Sequence, residues 1–446
     1  MDDSITYELS DLDKLGMRKT VKLFIFYELQ PATNQNKVIS SLIEGVKNAT
    51  AQLPFMAGGI QVQESGKVCI VTNPGRQIQI TTRQFKSTKH KSFPALGTAA
   101  FHPNDFDPSQ LLPEEATDKM SVCALQLSLI EGGLVLGFSM NHAVGDWTSI
   151  NTFLSLVCQS GRASYEGLTM PTYTADLNRA PYNLTSSNST MSRMELQEKL
   201  PSFYITELSS LKLNAPPTSK SGLYKIRDSS IQQLKVECTP FLRDVDYISS
   251  YDCISALIWM ATIRARLALH PEKSKSPSRF IHPIDVRTRD PENTTSERYF
   301  GNAVIAAQAG PLKAGSVVSG GTDSLALVAS CIRKSISSVD ISTIGYMNSL
   351  VRSISPGETM ASRADFADMD LMMSSWYSGM VDRYCIGGAI SVVLRVPAPM
   401  AGTAMILPNA SRAGMREYEV LVGLVEDEHD VLRTDVEFLK YFEIVA

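Results

Sequence analysis

The sequence predicts an α/β protein built from two similar-sized lobes of mixed β-sheet with flanking helices. Three observations lead there. The chain has 446 residues, more than one hydrophobic core usually serves, so two lobes are expected. Strand and helix patterns alternate irregularly, with hairpins and long connections, which argues for mixed sheet. No Gly-x-Gly-x-x-Gly, P-loop or Gly-x-Ser-x-Gly elbow lies between a strand and a helix, which excludes the common dinucleotide, nucleotide-phosphate and serine-hydrolase sites. The expected division is an N-terminal lobe over 1–185, a crossover over 186–220 and a C-terminal lobe over 221–446.

The elements follow from periodicity. Val38, Leu42, Val46 and Ala49 share one face at helical spacing, which predicts a helix over Asn36–Ala51, ended by Pro54. A strand is expected over Lys67–Thr72. Val122–Ile130 and Leu134–Met140 read as a hairpin around Glu131-Gly132-Gly133, with Cys123, Leu125, Leu127 and Leu129 on one face and Val122, Ala124, Gln126 and Ser128 on the other. After Asn141 the period changes, and Trp147, Ile150, Phe153, Leu154 and Val157 fit a helix. The stretch from Ser164 to Ser221 is rich in Pro, Ser, Thr and Asn and reads as a crossover with one helix near Met194–Leu200. Beyond it a strand is expected at Gly222–Ile226, a helix at Tyr251–Leu269, a strand at Arg279–Val286, and helices at Ser324–Ser338 and Asp340–Ile354. The end reads as a strand, Tyr418–Leu424, then one helix, Glu426–Tyr441, burying Leu432, Val436 and Leu439.

Composition narrows the function. With a formal net charge of -4 and no long basic runs, electrostatics give no reason to expect nucleic acid or an anionic membrane as partner. The opening, MDDSITYELSDLDKLG, lacks the basic-then-apolar pattern of a secretory signal. No apolar run approaches the ~20 residues of a membrane span. A cytoplasmic protein is expected. The seven cysteines, scattered and without a Cys-x-x-Cys pair, read as reduced core residues.

The chemistry-bearing stretch is NHAVGDW. Of six histidines only His142 has an aspartate four residues on. With Asp at roughly one residue in twenty, such a pair arises by chance about one time in three, so placement carries the information. His142 to Asp146 lies where an apolar strand turns into an apolar helix, at a corner containing Gly145. A histidine there can project beyond the sheet end. Imidazole titrates near neutral pH and suits removal of a proton from an attacking alcohol or amine. A thioester donor is already activated, so no protein nucleophile is needed, only donors for the tetrahedral oxyanion. Asp146 has two readings: it orients the imidazole, as in a triad, or it caps the following helix and pairs with a distant arginine.

NHAVGDW resembles the His-x-x-x-Asp-Gly region of the BAHD acyltransferase superfamily, and further segments resemble that family in its order along nearly the whole chain. They are LSDLDKLG from Leu9, LPFMAGG from Leu53, ISSYDCISALIW from Ile248, IDVRTR from Ile284, YFGNAV from Tyr299, SSW from Ser374 and EVLVGLVED from Glu419. All three tryptophans, Trp147, Trp259 and Trp376, fall inside these segments. The resemblance implies a CoA-dependent acyltransferase fold with a channel between the lobes. It implies His142 as general base, an ion pair between Asp146 and Arg287, and oxyanion donors from Ser374 and Trp376. Ser249 and Ser250 would lie on the CoA side. Tyr299, Phe300 and Asn302 would be architectural before catalytic. One stretch departs from the plant pattern: where plant members carry Asp-Phe-Gly-Trp-Gly, this chain has DRYCIGGAISVVLRVP from Asp382, closer to fungal members such as the trichothecene 3-O-acetyltransferases, which leaves the part of Asp382 open.

The function so implied is transfer of an acyl group, acetyl by expectation, from acyl-CoA to a hydroxyl of a specialised metabolite. Acyl-CoA would be a co-substrate. No tightly bound cofactor and no metal is expected, the acceptor is a small alcohol or amine, and the protein is expected to act as a monomer. Two alternatives fit the same residues: a carrier-protein thioester as donor, as in condensation domains of peptide synthetases, or a non-acyl reaction or ligand-binding role in the same channel.

Overall fold

The computed structural model describes residues 3–17, 19–63, 67–86, 90–114, 121–183, 191–211, 217–289, 296–318, 320–378, 381–408 and 416–446. Two large sheets organise the chain. Their strands, in chain order, are β1 (Thr20–Leu29), β2 (Gln79–Gln84), β3 (Cys123–Ile130), β4 (Gly133–Asn141), β5 (Lys220–Arg227), β6 (Pro277–Asp285), β7 (Val304–Lys313), β8 (Leu371–Ser375), β9 (Ala389–Arg395), β10 (Thr403–Ile406), β11 (Glu417–Leu424) and β12 (Glu443–Ile444). The helices that cover them are α1 (Gln35–Gln52), α2 (Trp147–Glu166), α3 (Ser250–Leu269), α4 (Thr322–Ser337), α5 (Ile341–Arg352), α6 (Glu426–Leu432) and α7 (Val436–Leu439).

The first sheet runs β9-β1-β4-β3-β2, and the second runs β7-β6-β8-β10-β11-β5-β12. Both are mixed: β2 runs parallel to β3, and β8 runs parallel to both β6 and β10, while the other neighbours are antiparallel. The two sheets do not divide the chain at one point. Strand β9, expected in the C-terminal lobe over 221–446, leaves that half and pairs antiparallel with β1, Arg395 opposite Phe24. The physical reason is an open edge. Without β9 the backbone of β1 would present unpaired groups on the side away from β4.

Both faces of the first sheet are buried. On one, Ile25, Leu136, Phe138 and Leu125 pack with Val38, Leu42, Phe153 and Val157 of α1 and α2. On the other, Phe24, Phe26 and Val135 pack with Phe93, Leu96, Phe101 and Phe106 of the segment before β3. This explains a departure from the expected half-polar β3: all eight of its residues are buried. The Gln126 amide is met on its donor side, where Nε2 donates to the Gln110 carbonyl at 2.6 Å and to Ser128 Oγ at 2.9 Å, while its Oε1 is buried with no partner among the described residues.

On one face of the second sheet, Phe280, Met373, Val420 and Val422 pack with Ile254, Ile258, Leu325 and Ala329 of α3 and α4. Leu223, Trp376, Leu407 and Leu421 turn the other way and are buried in the same core as the first sheet, so the lobes meet through apolar side chains. The crossover segment holds a helix, Arg193–Lys199, and an unforeseen strand, Phe203–Glu207, paired with Glu358–Ser362. Its expected stretches 186–190 and 212–216 lie outside the described residues.

The single helix expected over Glu426–Tyr441 is two. Asp435 starts a second one by accepting the backbone N–H groups of Glu437 and Phe438. The break rotates the face: Leu432 is buried, but Val436 is 76% exposed.

Candidate active site

β4 ends at Asn141 and α2 begins at Trp147, so His142 sits at the corner. Four attachments hold it. Its backbone N–H donates to the Lys19 carbonyl at 2.8 Å. Asn141 beside it donates through Nδ2 to the Met17 carbonyl at 3.1 Å. Its own carbonyl accepts Asn302 Nδ2–H at 2.8 Å, and its ring Nδ1 lies 3.0 Å from Asn302 Oδ1. The ring is half-buried, and Nε2 has no hydrogen-bond partner among the described residues.

Asp146 turns away from this ring. Its carboxylate takes both Nη groups of Arg287 at 2.8 and 3.0 Å, the Ala303 N–H at 2.9 Å and the Ser149 N–H at 3.3 Å. The last makes it the N-cap of α2. Both members of the pair are buried. Burial alone would lower the Arg287 pKa. The Asp146 carboxylate outweighs that and holds the guanidinium above its ordinary value. Arg287 Nη2 also donates to the Gly301 carbonyl at 3.1 Å. The ion pair thus fastens the end of β6 and the Tyr299–Val304 loop to the His142 corner. Of the two sequence readings of Asp146, the geometry is that of cap and ion pair.

Ser374 lies near the end of β8, opposite Met405 of β10. Leu371 and Met373 face the second-lobe core. By the alternation of a strand, Met372 and Ser374 face the other way. Trp376, just past the strand, is buried in the first-lobe core and stacks on Trp147, ring centroids 4.2 Å apart and planes 4° apart. The stack joins the residue after Asp146 to the Ser-Ser-Trp segment, so sequence positions 229 residues apart meet.

Ser249 and Ser250 are at the start of α3. Ser249 caps it: its hydroxyl accepts the Asp252 N–H at 3.3 Å, donates to Asp252 Oδ2 at 2.9 Å and accepts Arg333 Nη2–H at 2.6 Å. That hydroxyl is engaged within the fold. Asp382 is exposed in the turn before β9. Its neighbourhood is architectural: a Cβ at Gly387 would lie 2.3 Å from the Tyr165 ring, and Tyr384 OH donates to Asn151. These contacts dock the turn on α2, where it launches β9 toward the first sheet.

Sequence reasoning missed the part of Asp13 in LSDLDKLG. This fully buried carboxylate takes the backbone N–H and Nδ2–H of Asn302 on Oδ1, at 2.7 and 3.0 Å. Oδ2 takes the Ser10 N–H and Arg179 Nε–H, at 2.8 and 3.1 Å. Gly16 follows, so close that a Cβ there would lie 2.6 Å from the His142 carbonyl carbon and oxygen. The signal was an acidic residue and a glycine at fixed offsets in a segment that resembled the family opening. A cavity of about 280 Å³ opens elsewhere, lined by Phe101, Lys225, Val393, Arg395 and Glu417 among others, and none of His142, Ser374 or Trp376 lines it.

Two mixed sheets meeting at a His-x-x-x-Asp corner define a two-lobed acyltransferase of the BAHD type. The chain matches the family described as transferase family over residues 2–439 and belongs to it. Acyltransferase BOA11 of Botryotinia fuckeliana is 24% identical over 60% of this chain and 62% of its own length, so this chain spans under two thirds of that relative. Acyltransferase cm3D of Cordyceps militaris is 24% identical over 98% of this chain and 96% of its own. The fold is similar to that of TRI101 of Fusarium sporotrichioides, a trichothecene 3-O-acetyltransferase solved with coenzyme A and T-2: TM-score 0.81, 18% identity, covering 99% of this chain and 100% of that one. Among the described residues no helix is long and apolar enough to cross a membrane, and no group of three or more His, Cys, Asp or Glu could hold a metal ion.

Proposed function

We propose that this acyltransferase moves an acyl group, acetyl first among candidates, from acyl-CoA to a hydroxyl of a specialised metabolite, with His142 as general base. The observation that carries the reading is the state of the imidazole: one ring nitrogen is tied to Asn302, and the other has no partner among the described residues. The relatives named as acyltransferases, and a similar fold solved with coenzyme A, support the donor class.

The reaction needs no covalent acyl-enzyme. Nε2 takes the proton as the acceptor oxygen attacks the thioester carbonyl. The oxyanion that forms calls for donors. Ser374 Oγ–H and the Trp376 indole N–H are the proposed pair, with the stack on Trp147 fixing the indole plane. Collapse breaks the carbon–sulfur bond, and His142 returns its proton to the departing thiolate. Asp146 does not touch the ring; through Arg287 it holds the corner that presents it.

The test follows thiol release from acetyl-CoA with an alcohol acceptor, in the absence of any carrier protein. His142→Ala is expected to lose about 100- to 10,000-fold in kcat with its unfolding transition intact. Equal turnover by variant and wild type would overturn His142 as base. Turnover only with a carrier-bound thioester would overturn CoA as donor.

A further inference from the structure

We propose that Asp13 and Asn302 are positioning residues that set which nitrogen of His142 carries the proton, so that Nε2 is the free base. This deepens the reading above and rests on it for its catalytic meaning. A histidine base works only if the nitrogen facing the substrate is the unprotonated one, and the tautomer is set by what the other nitrogen binds. In a triad a carboxylate does this directly. Here the aspartate four residues after the histidine is engaged with Arg287, and the task passes to an amide.

An amide alone cannot do it. Its oxygen and nitrogen are nearly the same size, so its orientation follows from its other bonds. Asn302 Nδ2 is surrounded by acceptors: Asp13 Oδ1 at 3.0 Å and the His142 carbonyl at 2.8 Å. A flipped amide would place its oxygen against both, two acceptor–acceptor contacts in a buried site. The unflipped amide turns Oδ1 to His142 Nδ1 at 3.0 Å. An amide oxygen only accepts, so Nδ1 must hold the proton and Nε2 the lone pair. The geometry runs carboxylate to amide to imidazole, with the carboxylate as the fixed end.

That end is held from all sides. Asp13 belongs to a capping box with Ser10 and also receives Arg179. Its segment is pressed against His142 at Gly16 and bonded to it at Lys19. The distance from Asp13 to the imidazole therefore cannot drift without breaking the corner. The segment LSDLDKLG is thus the back wall of the reacting group.

The experiment uses protein labelled with ¹⁵N-histidine and reads ring nitrogen shifts of His142, assigned by the signal lost in His142→Gln. Wild type is expected to show Nδ1 protonated and Nε2 unprotonated. Asn302→Leu removes the acceptor and is expected to move the proton to Nε2 or mix the tautomers, with kcat down about tenfold or more and KM within about twofold. Asp13→Asn, which releases the amide to flip, is expected to move the signals the same way. Asn302→Asp loses the same donor bonds as the leucine variant but keeps an oxygen toward Nδ1, and is expected to retain the Nδ1–H signal. Wild type with Nε2 protonated, or Asn302→Leu with an unchanged tautomer, overturns the relay. So does a tautomer lost equally in Asn302→Asp and Asn302→Leu, which would mean general disruption. The spectra need no substrate. An active His142→Ala would therefore sink His142 as the base while leaving the tautomer result standing.

Discussion

His142 lies just past the last residue of β4 and His282 lies within β6, and the two are opposites. His282 is fully buried in β6. Its Nδ1 lies 3.1 Å from Tyr251 OH and its Nε2 2.9 Å from Ser335 Oγ. Written out, Tyr-His-Ser resembles a relay to a nucleophile. The bonds say otherwise. Ser335 gives its own proton to the Ile332 carbonyl at 2.7 Å, so it accepts from Nε2–H, and Nδ1 accepts from tyrosine. No nitrogen is left for a substrate. Burial, with Arg333 nearby, pushes the His282 pKa down to about 3. Among the described residues His142 has one nitrogen committed and one open. That asymmetry is what the proposed base requires, and His282 lacks it.

The largest expected effect comes from attacking what holds the His142 corner in place. Arg287→Leu leaves the Asp146 carboxylate buried with its guanidinium gone. Breaking a buried pair from one side costs about 3–5 kcal/mol. Urea unfolding should show this loss, with activity falling as the corner loosens. The double variant Asp146→Leu, Arg287→Leu should recover only part, because Asp146 also caps α2 and accepts the Ala303 N–H. A change under about 1 kcal/mol for Arg287→Leu would make the pair a bystander, and the contrast between a braced and a core histidine would fail.

The next effect belongs to His282 and depends on pH. Its folded pKa lies below the unfolded value near 6.5, so between about pH 6.5 and 3 the unfolded chain holds a proton that the folded chain lacks. Stability therefore falls as pH drops through that window. At pH 5 the loss from this residue is about 2 kcal/mol. The readout is the difference in unfolding free energy between wild type and His282→Gln at pH 7 and pH 5. It isolates this histidine from buried carboxylates such as Glu428, whose pKa burial raises and whose effect has the opposite sign. Identical pH slopes in the two proteins would refute it. Catalytic turnover of His282→Gln at pH 7 should match wild type.

Much of the fold was legible in the sequence, for a physical reason. Periodicity reports a helix or strand that buries one face, so α1, α2, α3 and the β3–β4 hairpin came out within a few residues. It fails where burial is decided by distant chain. The alternation set Gln126 and Ser128 on the second face of β3, and nothing local shows that residues 93–112 fold over them. Val436 looked buried because a cap at Asp435 does not disturb the apolar spacing. β9 looked like part of the second lobe because sheet membership is set by which edge is open. Of the proposed site, His142, Asp146, Arg287, Ser374 and Trp376 could be singled out in the sequence, since each sits in a recognisable segment. That Asp13 reaches Asn302, 289 residues on, is a contact with no local signature.

The smallest effect concerns Trp147, whose indole Nε1 is buried with no partner among the described residues. An unmet buried donor costs about 1–3 kcal/mol, while an aromatic pair adds about 0.5–1.5 kcal/mol beyond its buried area. Trp147→Phe removes the orphan donor, keeps a ring on Trp376 and loses some packed area. These changes oppose each other, so the unfolding free energy should move by less than about 1 kcal/mol, in contrast to the several expected for Arg287→Leu at the same corner. If the role of Trp147 is to hold the Trp376 plane, turnover should stay near wild type in the phenylalanine variant and fall in Trp147→Ala, where the support is gone. A phenylalanine variant as inactive as the alanine one would instead mean that the Trp147 N–H itself meets the reactants, and the donor assigned to Trp376 would have to be shared with it.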